Sequence, residues 1–333
     1  MFTKKSLLIS LAVCMAICLA FVISGCSSNA ENDSEVNFPE QPVTLVVPYG
    51  AGGGTDVIAR KVASLAERSL GETITVVNKP GGVTAPAMLE ISQSKPDGYN
   101  LLVVSTPLVT LRHINDDITI SYEDFEPIVG MNEDLYCISV LADSEFNSVQ
   151  DIVDFAKEHP GELKIGAAGP GGTFYMSVLS FLDATGIDAK IVPHPEGVNA
   201  IRTALLGNHV DVIAVGVGDI LEFVKGKQIK VLAVAGNERN SYLPDVPTLK
   251  EEGIDAVPVS TFRGIVGPKG MPEEVVETLH SAFKEALESQ ELVDFMESSA
   301  LDVMYLSPSD WYNYLKESDD LFGSLADLYK ALN

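Results

Sequence analysis

The strongest constraint on this chain is a glycine loop, Gly50-Ala51-Gly52-Gly53-Gly54-Thr55-Asp56, set between two segments of different periodicity. Ahead of it, Thr44-Leu45-Val46-Val47 is a short β-branched and apolar run that reads as a buried strand. Behind it, Ile58, Val62, Leu65 and Leu70 fall on one face at helical spacing. Glycines let the backbone turn tightly and let another group approach it closely. A helix start leaves about four amide N–H groups without partners inside the helix. Together these make a place that attracts anions. The same residues also suit a plain tight turn that packs a helix on a sheet. Neither common phosphate pattern fits. The loop ends Gly-Thr-Asp where a P-loop needs Gly-Lys-Ser/Thr, and Thr55 occupies the last glycine slot of the dinucleotide pattern. Asp56, near the helix start, reads as an ordinary cap.

The unit recurs. Gly166-Ala167-Ala168-Gly169-Pro170-Gly171-Gly172-Thr173 follows the apolar Leu163-Lys164-Ile165 and precedes Phe174, Val178, Phe181 and Leu182 on one helical face. Two such units far apart in the chain predict two α/β lobes whose helix starts can grip one ligand. Strands alternating with helices elsewhere predict mainly parallel sheets flanked by helices, with ligands at the carboxyl ends of the strands. Ser105 and Thr106 occupy that edge after Leu101–Val104; a ligand contact and a hydroxyl-rich turn are equally open readings. The extended stretch 256–266 reads as the chain returning to the first lobe, followed by a long helix from Pro272 with Val275, Leu279, Phe283 and Leu287 as its core face. The first lobe is then discontinuous, 40–138 with 258–333, and the second is 139–257. The two connecting segments form a hinge.

The formal net charge of -25 argues against nucleic acid and anionic lipid surfaces as partners. It also means that an anionic ligand must be neutralised locally, by oriented amides and one or two arginines. Lys4 and Lys5, an apolar run over 7–22 and Ile23-Ser24-Gly25-Cys26 have the form of a secretory signal over 1–25. Cys26 after Ser-Gly resembles a bacterial lipobox, which implies lipid attachment at Cys26; a plain transmembrane anchor is the alternative. Residues 26–39 are polar and acidic and read as a flexible tether. With Cys14 and Cys18 in the signal, Cys137 is left as a buried, inert thiol, and no disulfide is expected. There is no Gly-x-Ser-x-Gly elbow, no His-Glu-x-x-His and no EF-hand loop, so the expectation is a binding protein that is not an enzyme and uses no cofactor or metal.

Several stretches in order carry a family resemblance. They are Val46-Val47-Pro48-Tyr49 with the glycine loop through Asp56, Pro96-Asp97-Gly98-Tyr99-Asn100-Leu101-Leu102, Gly226-Lys227, Leu232-Ala233-Val234, Arg239, Pro244-Asp245-Val246-Pro247-Thr248, and Gly264 with Val266 and Pro268. The chain resembles, over roughly residues 40–330, the extracytoplasmic solute-binding proteins of tripartite tricarboxylate transporters, the Bug family. The resemblance implies a two-lobed periplasmic-binding-protein fold and a ligand held by backbone amides, hydroxyls and water. Carried over, it implicates Gly52, Gly53, Gly54 and Thr55 in the first lobe, Gly169, Gly171, Gly172 and Thr173 in the second, and Ser105 and Thr106 between them. It implies a lipid-anchored receptor that captures a small carboxylate, whether a di- or tricarboxylate, an aromatic acid or an amino acid, and delivers it to membrane permease subunits.

The chain also departs from the family pattern. Pro193-His194-Pro195-Glu196-Gly197 stands where the family reads Pro-Tyr-Lys-Gly, the family's usual Trp before the returning Gly is replaced near Phe262 with Arg263 beside it, and Phe174 and Tyr175 stand where Ser and His-like polar residues are common. These departures imply a ligand other than citrate and make His194 and Arg263 candidate contacts. Arg263 suits a bidentate carboxylate clamp or an ion pair between lobes. Two other functions stay open: a secreted α/β enzyme using nucleotide or phosphate, and a receptor that presents its ligand to a sensor kinase.

Overall fold

The first β-branched run becomes β1 (Val43–Val47), buried along almost its whole length. The structure, a computed structural model, describes residues 37–332 apart from 195 and 299. The expected signal, Cys26 and nearly all of the tether lie outside the described residues. Helix α1 (Gly54–Leu70) follows the glycine loop and buries Ile58, Val62, Leu65 and Leu70, as their spacing predicts. Gly71 ends it in the left-handed region, at φ 79°, a geometry that glycine adopts without steric cost. Strands β2 (Ile74–Asn78) and β3 (Asn100–Ser105) flank β1 in parallel, with α2 (Ala85–Ser92) between them in the chain. Helix α3 (Pro107–Ile114) fills a segment that sequence patterning leaves unassigned.

Strand β4 (Phe125–Leu141) joins the two parts of the sheet. Its first part, through Leu135, pairs antiparallel with β9 (Ser260–Pro268), which pairs in turn with β3. Its last part pairs antiparallel with β7 (Val212–Gly216) and β8 (Ile229–Val234). Beyond β7 lie β5 (Lys164–Ala168) and β6 (Lys190–His194), both in parallel register. The outer pairs are therefore parallel and the central ones antiparallel. Local patterning predicts only Leu135–Leu141 of β4. Pro127 and Gly130 disguise the rest, and both fall at register shifts against β9, where strands tolerate such residues.

Helices cover the sheet. Ser148 and Asp151 form the expected reciprocal capping box at the start of α4 (Val149–Glu158). The second glycine loop leads into α5 (Thr173–Thr185), and α6 (Val198–Leu206) and α7 (Val217–Lys225) follow β6 and β7. The last strand is followed by α8 (Glu273–Glu288), α9 (Gln290–Glu297) and α10 (Pro308–Leu332). Val275, Leu279, Phe283 and Leu287 are buried on α8, as predicted. Trp311 of α10 is fully buried and lies against Gly264 of β9 so closely that any side chain there would overlap the indole. Cys137 is free and buried, and burial pushes its thiol up to about 12. Among the described residues no helix is long and apolar enough to cross a membrane.

Candidate functional site

The first glycine loop is stapled from within. Asp56 makes no capping bond to its helix; its carboxylate instead accepts the Gly52 N–H at 2.8 Å, Arg60 Nε at 3.0 Å and Asn78 Nδ2 at 2.7 Å. Burial raises the Asp56 pKa, but the Arg60, Gly52 and Asn78 bonds outweigh it and hold the carboxyl below its ordinary value. Gly53 N–H bonds to Gly50 O at 3.2 Å. Two loop amides are thus engaged inside the loop. Those of Gly54 and Thr55 come before the first intrahelical bond, from Val57 N–H to Gly53 O at 3.0 Å, and are left for an outside partner.

The second loop follows the same plan. Gly172 N–H bonds to Gly169 O at 3.0 Å, and the helical ladder begins with the N–H groups of Tyr175 and Met176, both on Gly172 O. The amides of Thr173 and Phe174 precede it. Gly171 turns at φ 81°; its carbonyl accepts Thr110 Oγ1 at 3.1 Å, and a side chain there would strike Ile114. Its role is the packing of this loop on α3.

Both loops open on one cavity of about 540 Å³. Of the residues expected from sequence, Gly54, Thr55, Ser105, Gly172, Thr173 and Arg263 line it. Gly52, Gly53, Thr106, Gly169, Gly171 and His194 are not among its lining residues. Thr106 is fully buried and donates to Ser260 O at 2.8 Å, which ties the start of α3 to the start of β9. His194 ends β6 beside Ala168, with its Nε2 buried and without a hydrogen-bond partner.

Sequence reasoning missed four parts of the wall. Gly81, Val83 and Thr84 form a lip after β2. Val83, a β-branched residue at φ 48°, is 48% exposed there, a strained conformation of the kind found at ligand clamps. The Pro80-Gly81-Gly82 turn was the available signal. Gly197 and Val198 bring the start of α6, and Asp219 the first turn of α7. Thr261 adds a buried hydroxyl with no hydrogen-bond partner.

Arg263 is set by register. Its position on β9 lies between Ser105 of β3 and Asn132 of β4. Nε donates to Thr55 Oγ1 at 3.0 Å and Nη1 to Asn132 Oδ1 at 3.4 Å. Arg263 makes no ion pair among the described residues, so the lobe-to-lobe ion pair is not found there. Tyr49 and Ser105 share a hydroxyl–hydroxyl hydrogen bond at the cavity wall. Burial raises the Tyr49 phenol, against smaller opposing effects from Ser105 and Arg263, so it stays neutral. Behind the wall, burial and then the nearby Asp219 carboxylate push Asp134 up to about 8.

The arrangement suits reversible capture of a small anion: paired helix starts, hydroxyls and one guanidinium around a shared space. Comparison with known proteins agrees with this reading. A UPF0065 protein of Cupriavidus necator is 31% identical over 282 residues, which is 84% of this chain and 85% of the relative. The crystal structure of a TctC solute binding protein from Polaromonas has a TM-score of 0.76 at 31% identity, covering 87% of this chain and 99% of that one. A protein of R. palustris with adipate shares the fold, with a TM-score of 0.78 at 24% identity, covering 87% of this chain and 98% of that one. Residues 58–327 match the tripartite tricarboxylate transporter family receptor, and the chain belongs to that family of extracytoplasmic solute receptors, which are binding proteins and not enzymes.

Proposed function

We propose that this chain is a lipid-anchored receptor that takes up a small carboxylate in the cavity between its two sheet halves, closes on it, and delivers it to the membrane permease of a tripartite tricarboxylate transporter. Cys26 carries the lipid and 26–39 the tether. Residues 40–138 with 258–333, and residues 139–257, act as the two lobes. The observation that carries the reading is Arg263, a guanidinium that makes no ion pair among the described residues, in a cavity ringed by helix starts, inside a chain of formal net charge -25. In so negative a body an unpaired arginine and free amide donors are the groups that offset an incoming carboxylate. The same groups would also favour phosphate, but the R. palustris protein with adipate shows that this fold accommodates a dicarboxylate.

The test is thermal-shift and calorimetric titration of the full chain with a panel of carboxylates, inorganic phosphate, ATP and NAD. A carboxylate that binds with saturation, and at least about tenfold more weakly to Arg263→Ala, supports the site. Binding confined to phosphate or nucleotide overturns it. For the anchor, Cys26→Ser should move the protein from the membrane fraction to the soluble fraction of the producing cell; an unchanged distribution overturns lipidation.

A further inference from the structure

Asp134 stands where the two halves of the sheet meet. It lies on β4 opposite Thr261 of β9, in the part of the strand that pairs with the first half. Its carboxylate accepts the N–H groups of Val217 and Gly218, at the start of α7 in the second half. One side chain thus satisfies a helix start across the junction. It is 8% exposed. Asp134 and Val217 line a second cavity, of about 520 Å³, with Glu133, Glu238 and Asp302. Asp219, in the first turn of α7, lines the ligand cavity.

The two carboxyls crowd one place. A Cβ on Gly216 would overlap Asp134 Oδ2 and lie 3.1 Å from Asp219 Oδ2, and Asp219 accepts the Gly216 N–H. Two carboxylates packed this closely and away from water do not both ionise, so the pair keeps a proton. The surrounding charges do not undo this. Arg263 of β9 acts on both carboxyls, and Arg202 of α6 acts on Asp219, with its Nη1 on the Asp219 carbonyl at 2.7 Å. These cations offset burial and repulsion only in part, and both carboxyls stay above their ordinary range. Cys137 of β4 feels both carboxyls and is a neutral thiol. Glu196 adds negative charge to the ligand cavity, and Glu133, Glu238 and Asp302 to the second one, where Arg239 is already paired with Glu251.

An incoming carboxylate shifts the balance further. Seated on Arg263, it engages the cation that eases the pair and adds a negative charge to the same space. Ionising the pair then costs more, so the proton is held more firmly. By linkage, a guest that tightens proton binding is itself bound more tightly while the proton is present.

Resting on the carboxylate reading above, we propose that Asp134 and Asp219 share one proton and that the receptor takes up its carboxylate together with it. Asp134 is the positioning residue. With the proton in place it holds the start of α7 against β4; with both carboxyls ionised, the pair repels itself and the guest.

The experiment is calorimetric titration of the full chain with adipate and malate, and with any other member of the carboxylate panel that saturates, from pH 7 to pH 9.5 in buffers of different ionisation enthalpy. Such carboxylates are ionised throughout that range. Wild type should take up about half a proton per guest near pH 8.5, and its affinity should fall about fivefold to tenfold from pH 7 to pH 9.5. The wild-type uptake is read without any variant. Asp134→Asn keeps an acceptor for α7 and leaves one carboxyl in place of two; it should abolish the uptake and flatten affinity against pH. A variant whose affinity shifts by one factor at every pH, with the uptake intact, overturns the inference, since Asp134 would then serve the helix start alone. Wild-type affinity independent of pH, with no uptake, also overturns it and leaves the carboxylate receptor standing. Binding of no carboxylate overturns the receptor reading and this inference together.

Discussion

Arg263 Nε donates to Thr55 Oγ1 at 3.0 Å, across 208 residues of sequence. The strand that brings the chain back to the first sheet half is thereby bonded to the first turn of α1, where the free amides lie. The bond aims the guanidinium along the cavity wall. Thr55→Val removes the acceptor and keeps the shape. Carboxylate affinity should fall about fivefold to tenfold, the value of one such hydrogen bond, with little change in the unfolding midpoint. Calorimetric titration at fixed salt checks it, and unchanged affinity would show that Arg263 needs no positioning.

Gly171 separates packing from binding. At φ 81° any side chain is strained, and its Cβ would meet Ile114. Gly171→Ala should cost about 2–3 kcal/mol in chemical denaturation, from backbone strain and overpacking together. Adding Ile114→Ala should recover the overpacking part and leave the strain. A Gly171→Ala protein of wild-type stability would contradict the contact.

Asp319 of α10 is 2% exposed and accepts a two-pronged contact from Arg112 of α3, with Nε to Oδ1 at 2.7 Å and Nη2 to Oδ2; His113 Nε2 lies 3.2 Å from Oδ1. Asp319→Ala leaves the arginine without its partner. Because the Arg112 side chain is 33% exposed, the loss should be about 2 kcal/mol, below the range for fully buried pairs. Equilibrium unfolding in urea measures it. Ligand affinity should change less than stability, since neither residue lines the cavity.

Asp134 sets a pH dependence. Its folded pKa lies near 8 against an ordinary value of 3.8, raised by burial first and Asp219 second. The native state therefore keeps a proton that the unfolded chain releases. This group's contribution to stability is complete below about pH 4 and is lost as pH rises towards 8. Asp134→Asn holds a neutral side chain at every pH. The gap in melting temperature between variant and wild type should shift in favour of the variant from pH 5 to pH 8, and a constant gap would contradict the burial of a neutral carboxyl.

What could be read from the sequence follows how local the signal is. The capping box at Ser148 and Asp151, the apolar face of α8 and both glycine loops depend on residues within a few positions of each other, and the structure has them where spacing puts them. The first part of β4 was hidden because Pro127 and Gly130 look like breakers until β9 supplies a partner with matching register shifts. Helix α3 was hidden because its Arg112 and His113 find their reason only in Asp319. In the site, Gly54 and Thr55 were legible as glycine-loop residues and the Pro80-Gly81-Gly82 turn marked the lip at Val83, while Asp219 and Thr261 carried no local mark of the cavity that they line.

Periodicity and turn chemistry by themselves determined that the chain would build paired strand, glycine-loop and helix units, because a helix start exposes its amides whatever surrounds it. Only the tertiary structure decided which amides remain available, with Asp56 engaging Gly52 and with Gly53 and Gly172 bonded back within their loops. It also decided that Arg263 and Asp219 face one cavity from different sheet halves. The physical reason is that charge placement depends on strand register and on bonds between distant residues, which no window of the sequence contains.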